Sequence, residues 1–456
     1  MKSFIKKYIG PKFFYKRVGK IAVPLALQMI LNQAAGFVDT IMVSRIGGVG
    51  AVSIATQLDI IMMNVGFGIN SGGGMYGAQF YGAKDYKSLK KIFGLQLTLS
   101  FINVLVFFSL ANLFGRPILT FYSSDETLIT LGLSYLSISC FAYLFTAISQ
   151  VFMFMYRAIQ KTHIPMFIGI LVTTINICLN YCLIFGKFGL PEMGVAGAAL
   201  ATVIATATGT ITHIIYALKT KQPFLGTFGE MFSFTPTFVK PIVKRMLPLI
   251  CNETLFGFGN SLYVKAYGII SSQALEIFKI GNTVANFFFI FAMGLNNATG
   301  LIIGEMLGKN DMEKAKEYSN YFVLLAVIFA FVAGGDVILF SGPLVSLFGL
   351  TDPIVEQGAL VIVRLFAIRI AFRMFNVIIM SSLRAGGDSL FLMILDGGIM
   401  WTVGIPLAYI AVLFMGVSEV STLFIICQIE QVIRLFLGIT RYKKGYWLKD
   451  LTKETK

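Results

Sequence analysis

Charged residues are scarce in this chain. They make up 13% of its 456 residues, while 56% are hydrophobic, and a soluble protein of this size carries about 25% charged residues. This shortage excludes an ordinary soluble domain and predicts a polytopic membrane protein. The net charge of +15 does not indicate nucleic-acid binding, because the positive residues lie in short loops beside apolar runs, the pattern that sets membrane orientation. We expect the lipid bilayer, and no nucleic acid, as a partner.

Residues suited to metal, redox or covalent chemistry are also few. The two histidines, His163 and His213, lie far from any metal-ligand cluster. The cysteines all fall within apolar runs and form no CxxC pair: Cys140, Cys178, Cys182, Cys251 and Cys427. We therefore expect neither a zinc site nor a disulfide framework. The sequence lacks the phosphate-binding pattern GxxxxGK[ST], which argues against transport powered directly by ATP hydrolysis. We expect no enzymatic activity and no cofactor.

The apolar run Ile21–Val43 contains one charged residue, Asp39, and lies between Lys20 and Arg45. As a helix it rises about 34 Å, enough to cross a hydrocarbon layer of about 30 Å. A carboxylate inside such a span costs about 2.5–3.5 kcal/mol on insertion scales, and it usually faces a cavity, a partner or a moving ion. We interpret Asp39 as the coupling carboxylate of a transporter. The alternative is that Asp39, six positions before Arg45, reaches the membrane interface.

The apolar runs predict twelve transmembrane helices. Their approximate limits are 21–44, 51–77, 93–115, 127–156, 164–186, 194–217, 246–269, 277–306, 318–345, 354–383, 390–415 and 419–440. Lysine- and arginine-rich loops alternate with acidic ones, so both termini should be cytoplasmic in a multi-pass protein of the cell (inner) membrane. The predicted regions are a basic amphipathic cytoplasmic N-terminus (1–20), a first lobe (21–217), a cytoplasmic linker (218–244), a second lobe (245–440) and a basic cytoplasmic tail (441–456).

The sequence repeats itself once. GFGINSGGGMYGAQFYGAKD, ending at Asp85, matches AMGLNNATGLIIGEMLGKND, ending at Asp311. MYRA, with Arg157, matches SLRA, with Arg384, at nearly the same offset along the chain. Each half contains six spans, so the two halves have the same orientation and form a parallel repeat. Substrate sites in such folds tend to lie near the interface between the repeats.

These segments resemble the multidrug and toxic compound extrusion (MATE) family over nearly the whole chain. The resemblance rests on FVDTIMVSRIGGVGAVSIA in span one, the paired turns GAQFYGAKD and GEMLGKND, and LRAGGDS followed by IPLAY. It implies an all-α membrane protein with two parallel-repeat six-helix lobes around a central cavity. It also implies an antiporter that exports small organic, often cationic, drug-like compounds in exchange for H⁺ or Na⁺. We expect it to act as a monomer.

A second hypothesis is a lipid-linked saccharide flippase of the same broad superfamily. The arginines of span ten would suit a pyrophosphate group better than a cationic drug. The paired turns favour the antiporter, and a cavity lined by exposed arginines would favour the flippase. A passive channel is disfavoured, because the sequence has no pore-like ring of repeated charge.

The resemblance implies a cation site that joins Asp39 to polar residues of spans five and six. The matching candidates are Asn176 and Asn180, spaced i,i+4 on one helical face, and Thr202. Counting from the nearest loops puts Asp39, Asn180 and Thr202 about 9–12 Å below the outer surface. Asp39 and Asn180 are the candidate Na⁺ ligands, since carboxylate and amide oxygens suit a hard cation. The alternative is that these polar groups only hold helices together.

A second candidate site consists of charged residues in the second lobe. The resemblance implies an acid at Glu253 on span seven, but the position on span ten where a branch of the family carries another acid holds Arg373. Arg369 and Arg373 share a helical face at i,i+4. Glu253, Arg369 and Arg373 are therefore either a functional site or partners in a structural salt bridge.

Overall fold

The computed structural model describes residues 8–350 and 352–455, and all regular structure within these residues is helical. Residues 1–7 of the predicted N-terminal segment lie outside the described residues. The helices are α1 (Lys12–Ser44), α2 (Val49–Gly82), α3 (Tyr86–Tyr122), α4 (Glu126–Ser139), α5 (Ala142–Ala158), α6 (His163–Phe185), α7 (Gly194–Lys219), α8 (Phe228–Phe232), α9 (Pro236–Ile270), α10 (Ser272–Gly308), α11 (Met312–Leu339), α12 (Ser341–Ser346), α13 (Pro353–Ala385), α14 (Ser389–Leu413) and α15 (Val420–Lys443). A short 3₁₀ turn, Leu451–Lys453, follows.

Each predicted span corresponds to one long helix or, for the fourth, to the pair α4 and α5. In the part of the chain that the structure describes, nine helices are long and apolar enough to cross a membrane, and the α4–α5 pair, bent by 52°, makes a tenth span. The other two, α9 and α13, have 35 and 33 residues. They are long enough to cross a membrane, but they are not among the helices that are also apolar enough by composition. The prediction of an all-α polytopic protein is confirmed.

Contacts between residues divide the chain into two compact units. The N-terminal unit is Leu27–Met246, and the C-terminal unit is Leu247–Glu454 together with the described residues up to Ala26. The predicted lobe limits, 21–217 and 245–440, follow the edges of the apolar runs, and the divisions between the two units fall inside α1 and α9. The first turns of α1 therefore pack with the second half of the sequence.

Small residues allow close helix packing in the N-terminal unit. Helix α2 packs on α3, α4 and α5, and α7 packs on α6. Gly197 of α7 faces the backbone of α6, where a Cβ atom would lie 2.6 Å from the carbonyl oxygen of Leu183. No side chain fits there, so the small-residue run around Gly197 sets how closely these two helices approach each other.

The C-terminal unit is organised around α13, which packs against α10, α11 and α15. The start of α1 adds an aromatic anchor, because Phe14 is buried and its ring contacts those of Tyr318, Tyr321 and Phe322. Nearly one helical turn later, Arg17 forms an ion pair with α10. The first turns of α1 are therefore part of the core of this unit.

The repeated sequence folds into the same helical corner twice. Asp85 caps α3 by accepting a hydrogen bond from the backbone of Ser88 at 3.0 Å. Asp311 caps α11 in the same way, from the backbone of Lys314 at 3.1 Å. The residue before each aspartate is left-handed, with φ of 58° before the first and 59° before the second. The duplicated Gly-x-x-Asp pattern thus specifies a tight turn and the cap of the next helix.

Candidate functional site

The four residues predicted for the cation site lie together in the N-terminal unit. Helix α1 positions Asp39, α6 positions Asn176 and Asn180, and α7 positions Thr202. Asn180 donates from Nδ2 to Asp39 Oδ1 at 2.7 Å and to Asn176 Oδ1 at 3.2 Å. Asn176 Nδ2 donates to Thr202 Oγ1 at 3.4 Å. The i,i+4 spacing places both amides on the face of α6 toward the carboxylate, so three helices meet at one polar centre.

This polar centre is rich in oxygen atoms. Asn180 is only 2% exposed, and its Oδ1 is buried with no hydrogen-bond partner among the described residues. Turning the Asn176 amide over would place its nitrogen 3.2 Å from both carboxylate oxygens of Asp39. The Asn176 amide can therefore present either its oxygen or its N–H groups to the carboxylate. An orphaned amide oxygen near a carboxylate is a ligand set that a hard cation would satisfy.

A second acid of the N-terminal unit lies near this centre. Tyr143 of α5 donates its hydroxyl hydrogen to Asp59 of α2. Tyr135 of α4 is buried where it interacts electrostatically with both Asp59 and Asp39. Neither tyrosine stands out in the sequence. A hydroxyl group inside an apolar run is the only sequence signal for them, and the bend between α4 and α5 decides which way each one faces.

The ion-pair partner of Glu253 is neither Arg369 nor Arg373, the two arginines that the sequence grouped with it. Its carboxylate lies 3.1 Å from Arg384 at the end of α13, with side-chain exposures of 19% for Glu253 and 28% for Arg384. Arg373 lies about 16 Å, and Arg369 about 22 Å, further along the axis of α13 at the helical rise. The structure therefore does not bring Glu253 together with Arg369 or Arg373.

The C-terminal unit holds a buried charged network that joins three helices. Arg434 of α15 pairs with Asp396 of α14 at 2.5 Å and with Glu430 one turn before it. Tyr263 of α9 donates its hydroxyl hydrogen to Glu430. Asn252, also on α9, donates to Asp396 at 3.2 Å. Each of these two acids is therefore both ion-paired and hydrogen-bonded, as a charge removed from water requires.

Wide turns in α14 help to build this network. The segments Ile394–Gly398 and Met400–Gly404 are π-helical. Within the first of them, the backbone carbonyl of Asp396 accepts a hydrogen bond from Arg434 at 2.9 Å. The next N–H, that of Gly397, donates to a side chain of α9 at 3.0 Å. Backbone groups in these turns thus serve the network, and π turns are frequent at functional sites.

The chemistry available at Asp39 is that of a proton or a hard cation. Residues 8–350 and 352–455 contain no group of three or more His, Cys, Asp or Glu side chains that could hold a metal ion. The centre instead offers the oxygen atoms of one carboxylate, two amides and a hydroxyl. Oxygen ligands of this kind suit hard cations, and a carboxylate can also accept a proton.

Comparison with known proteins gives consistent matches. A family model described as MatE matches residues 24–182 and 228–410. The chain is 26% identical to the probable multidrug resistance protein YoeA of Bacillus subtilis, covering 87% of this chain and 86% of the relative. It is 24% identical to a probable multidrug resistance protein NorM of Thermotoga maritima, covering 99% and 97%. A solved MATE structure in the bent conformation has a TM-score of 0.87 at 16% identity, covering 95% of each chain, which shows the shared fold.

Proposed function

The chain belongs to the MatE family, and on this premise we propose that it is a cation-coupled antiporter that exports organic, drug-like cations by alternating access. Membership confirms the resemblance and the prediction of a multi-pass membrane transporter, and its relatives include probable multidrug resistance proteins. In this proposal the protein lies in the inner membrane with both termini cytoplasmic. It acts as a monomer on small organic substrates.

The observation that carries the proposal is the 2.7 Å hydrogen bond from Asn180 to Asp39. It supports a functional role for Asp39 over the alternative in which its side chain only reaches the membrane interface, because it joins the carboxylate to a buried amide of α6. The unpartnered Oδ1 of Asn180 among the described residues supports a cation as the occupant, since a cation would supply the missing interaction. Asp39 and Asn180 are the proposed ligands for Na⁺, and Asp39 alone is the proposed acceptor for H⁺.

Coupling in this scheme follows from competition for one charge. Asp39 is half-buried, so an organic cation and a coupling ion can both reach it in turn. Binding of H⁺ or Na⁺ removes the negative charge that attracts the organic cation, and the substrate leaves. Antiport requires that the two ligands exclude or strongly weaken each other, because coupling is a difference in binding free energy between states.

Purified protein in liposomes would test the proposal with ethidium as a cationic probe. One assay imposes a Na⁺ gradient at equal pH on both sides, and another imposes a pH gradient without Na⁺. We expect ethidium to move against its own gradient with one of these gradients and not with the other. Ethidium movement that is the same with both gradients and with neither would overturn the proposal.

A second candidate function is a lipid-linked saccharide flippase. Arg369 and Arg373 favour it, because neither has a carboxylate within 4.0 Å in the described part of the chain. A pyrophosphate headgroup would supply the missing negative charge. Transbilayer movement of a fluorescent polyprenyl pyrophosphate in the same liposomes, without any ion gradient, would support this function over antiport.

A further inference from the structure

Two arginines lie near the middle of α13 in the C-terminal unit. Arg369 is midway between Pro353 and Ala385, the two ends of this helix. At the helical rise this is about 24 Å from either end. Arg373 follows one turn later on the same face. A cation at this depth is costly, so it is expected to have a partner or a function.

Aromatic rings hold the two guanidinium groups. The Cζ atom of Arg373 lies 3.8 Å from the ring centroid of Phe289 on α10. The Cζ atom of Arg369 lies 5.4 Å from the ring of Phe366 and 5.8 Å from that of Phe424. Such contacts fix the flat face of a guanidinium group and leave the N–H groups at its edge able to bind an anion.

The neighbouring acids do not neutralise these arginines. Asp396 and Glu430 are the acidic groups that act electrostatically on Arg373, and both are ion-paired with Arg434. The described residues place no carboxylate within 4.0 Å of either Arg369 or Arg373. Three arginines therefore share two carboxylates, which leaves one positive charge in excess.

Both arginines remain accessible. Each residue is half-buried. Among the described residues, some polar side-chain atoms are fully buried without a hydrogen-bond partner, and the nitrogen atoms of these two arginines do not belong to that set. An approaching anion can thus reach the N–H edges without displacing Arg434 from its carboxylates. Phe289 beside Arg373 would contact the apolar body of the same ligand.

We propose that Arg369 and Arg373 form a binding site, within the C-terminal unit, for an organic anion that carries a carboxylate or phosphate group on an aromatic or apolar body. The paired N–H edges bind the anionic group, and Phe289 binds the body of the ligand. The site does not depend on ion coupling at Asp39, and it extends the second candidate function, in which the anionic group would be a pyrophosphate.

The test uses the full-length protein in phosphatidylcholine nanodiscs with 2-naphthoate as the probe. Its uncharged counterpart, 2-naphthamide, controls for partition of the aromatic ring. By calorimetry we expect naphthoate to bind at least about tenfold more tightly than naphthamide, a difference of about 1.4 kcal/mol. Inorganic phosphate should displace naphthoate and leave bound naphthamide unchanged. Equal binding of the two probes would overturn the proposal without any variant being made.

Variants of α13 make the test specific to the two arginines. Arg369→Gln and Arg373→Gln should each weaken naphthoate binding by about tenfold or more, and Arg373→Lys should weaken it by about threefold. The matched control is Arg364→Gln, because Arg364 lies on the same helix but donates to Ser341 Oγ at 3.2 Å. Binding that is unchanged in both Gln variants, with an unfolding temperature like that of the native chain, would overturn the assignment.

A final arm separates a lipid headgroup from a free anion as the natural occupant. Nanodiscs containing phosphatidylglycerol are compared with those of phosphatidylcholine alone. If the lipid phosphate occupies the site, naphthoate affinity falls with phosphatidylglycerol in the native chain and does not change in Arg373→Gln. If a free anion is the occupant, the two lipid compositions give the same affinity. Either result supports an anion site, whereas a fall of the same size in both proteins would count against it.

Discussion

Arg157 and Arg384 occupy matching positions in the two halves of the sequence, but an amide accepts from the first and a carboxylate from the second. Arg157 donates to Gln28 Oε1 at 3.3 Å, and Arg384 donates to Glu253 Oε1 at 3.1 Å. In each unit the contact joins the end of one helix to the helix that begins that half. The matching contact between helices therefore uses a neutral amide acceptor in one unit and a charged carboxylate acceptor in the other.

Replacing Glu253 tests whether the negative charge matters in its contact with Arg384. Glu253→Gln copies the contact that Gln28 makes, so we expect the free energy of unfolding to change by less than about 1 kcal/mol. Glu253→Leu leaves the buried part of Arg384 without this acceptor, and we expect a loss of about 2–3 kcal/mol. Thermal unfolding in detergent measures both. Equal losses for the two variants would show that packing, and not the hydrogen-bond acceptor, decides stability here.

Asp39→Asn tests the coupling role. The amide has nearly the same size and still accepts a hydrogen bond, so we expect the fold to be kept. It cannot bind a proton or carry a negative charge, so ion-driven ethidium export should fall to the background level. Transport in liposomes and the unfolding temperature are measured together. The control is Asp336→Asn, a change to an acid of α11, which should transport like the native chain. Normal transport by Asp39→Asn would contradict the role.

Gly404 is required for the approach of α9 and α15 to α14. A Cβ atom there would collide with the Tyr263 hydroxyl and the Glu430 carboxylate. We expect Gly404→Ala to lower the free energy of unfolding by about 1–3 kcal/mol. The control is Gly335→Ala in α11, where no other described element comes within 4 Å of the added carbon, and there alanine should stabilise the helix by about 0.5–1 kcal/mol. Denaturant unfolding measures both variants, and equal effects would contradict this geometry.

The short helix α8 should be sensitive to acid. Thr227 and Glu230 form a capping box, and Lys90 donates to Glu230 at 2.9 Å. The hydrogen bond from Lys90 and that from the Thr227 backbone hold the pKa of Glu230 below its ordinary value of 4.5. A lowered pKa means that the folded form gains stability above the ordinary pKa and loses it as the pH falls through the folded-state pKa.

Hydrogen exchange of the α8 amides would measure this effect at about pH 7 and about pH 3, corrected for intrinsic exchange rates. We expect protection at neutral pH and its loss in acid. Glu230→Gln should show the acid behaviour at both values. Protection that is independent of pH in the native chain would contradict the prediction.

The polar centre around Asp39 is predictable from the sequence because helical spacing and depth determine it. Asn176 and Asn180 are one turn apart, and Asp39 and Thr202 fall at the same depth in their own spans. These relationships require only that each span be a helix. Which of the helices are neighbours comes from the resemblance, since depth alone does not say which spans touch.

The charged network of the C-terminal unit is not predictable in the same way. The pairing of Arg434 with Asp396 depends on the π turns of α14, and no sequence period announces them. The pair formed by Glu253 and Arg384 is a different case. With both termini cytoplasmic, span seven begins and span ten ends on the cytoplasmic side, and Glu253 and Arg384 lie near those two ends. Arg369 and Arg373 are instead unusual because they lie in the middle of a span. The depth of Glu253 and Arg384 in the membrane therefore predicts their pairing better than the rarity of charged residues within spans does.

The two π turns of α14 make its length as important as its composition. Each such turn contains more residues than an α-helical turn, so the residues after it are rotated relative to an unbroken helix. Removing one residue between Ile394 and Gly404 would turn Tyr409 by about 100° around the axis and break its 3.3 Å hydrogen bond to the carbonyl of Leu262. Deletions in this stretch should therefore be tolerated far less well than substitutions, and a homologue one residue shorter here must present a different face of the helix to its neighbours.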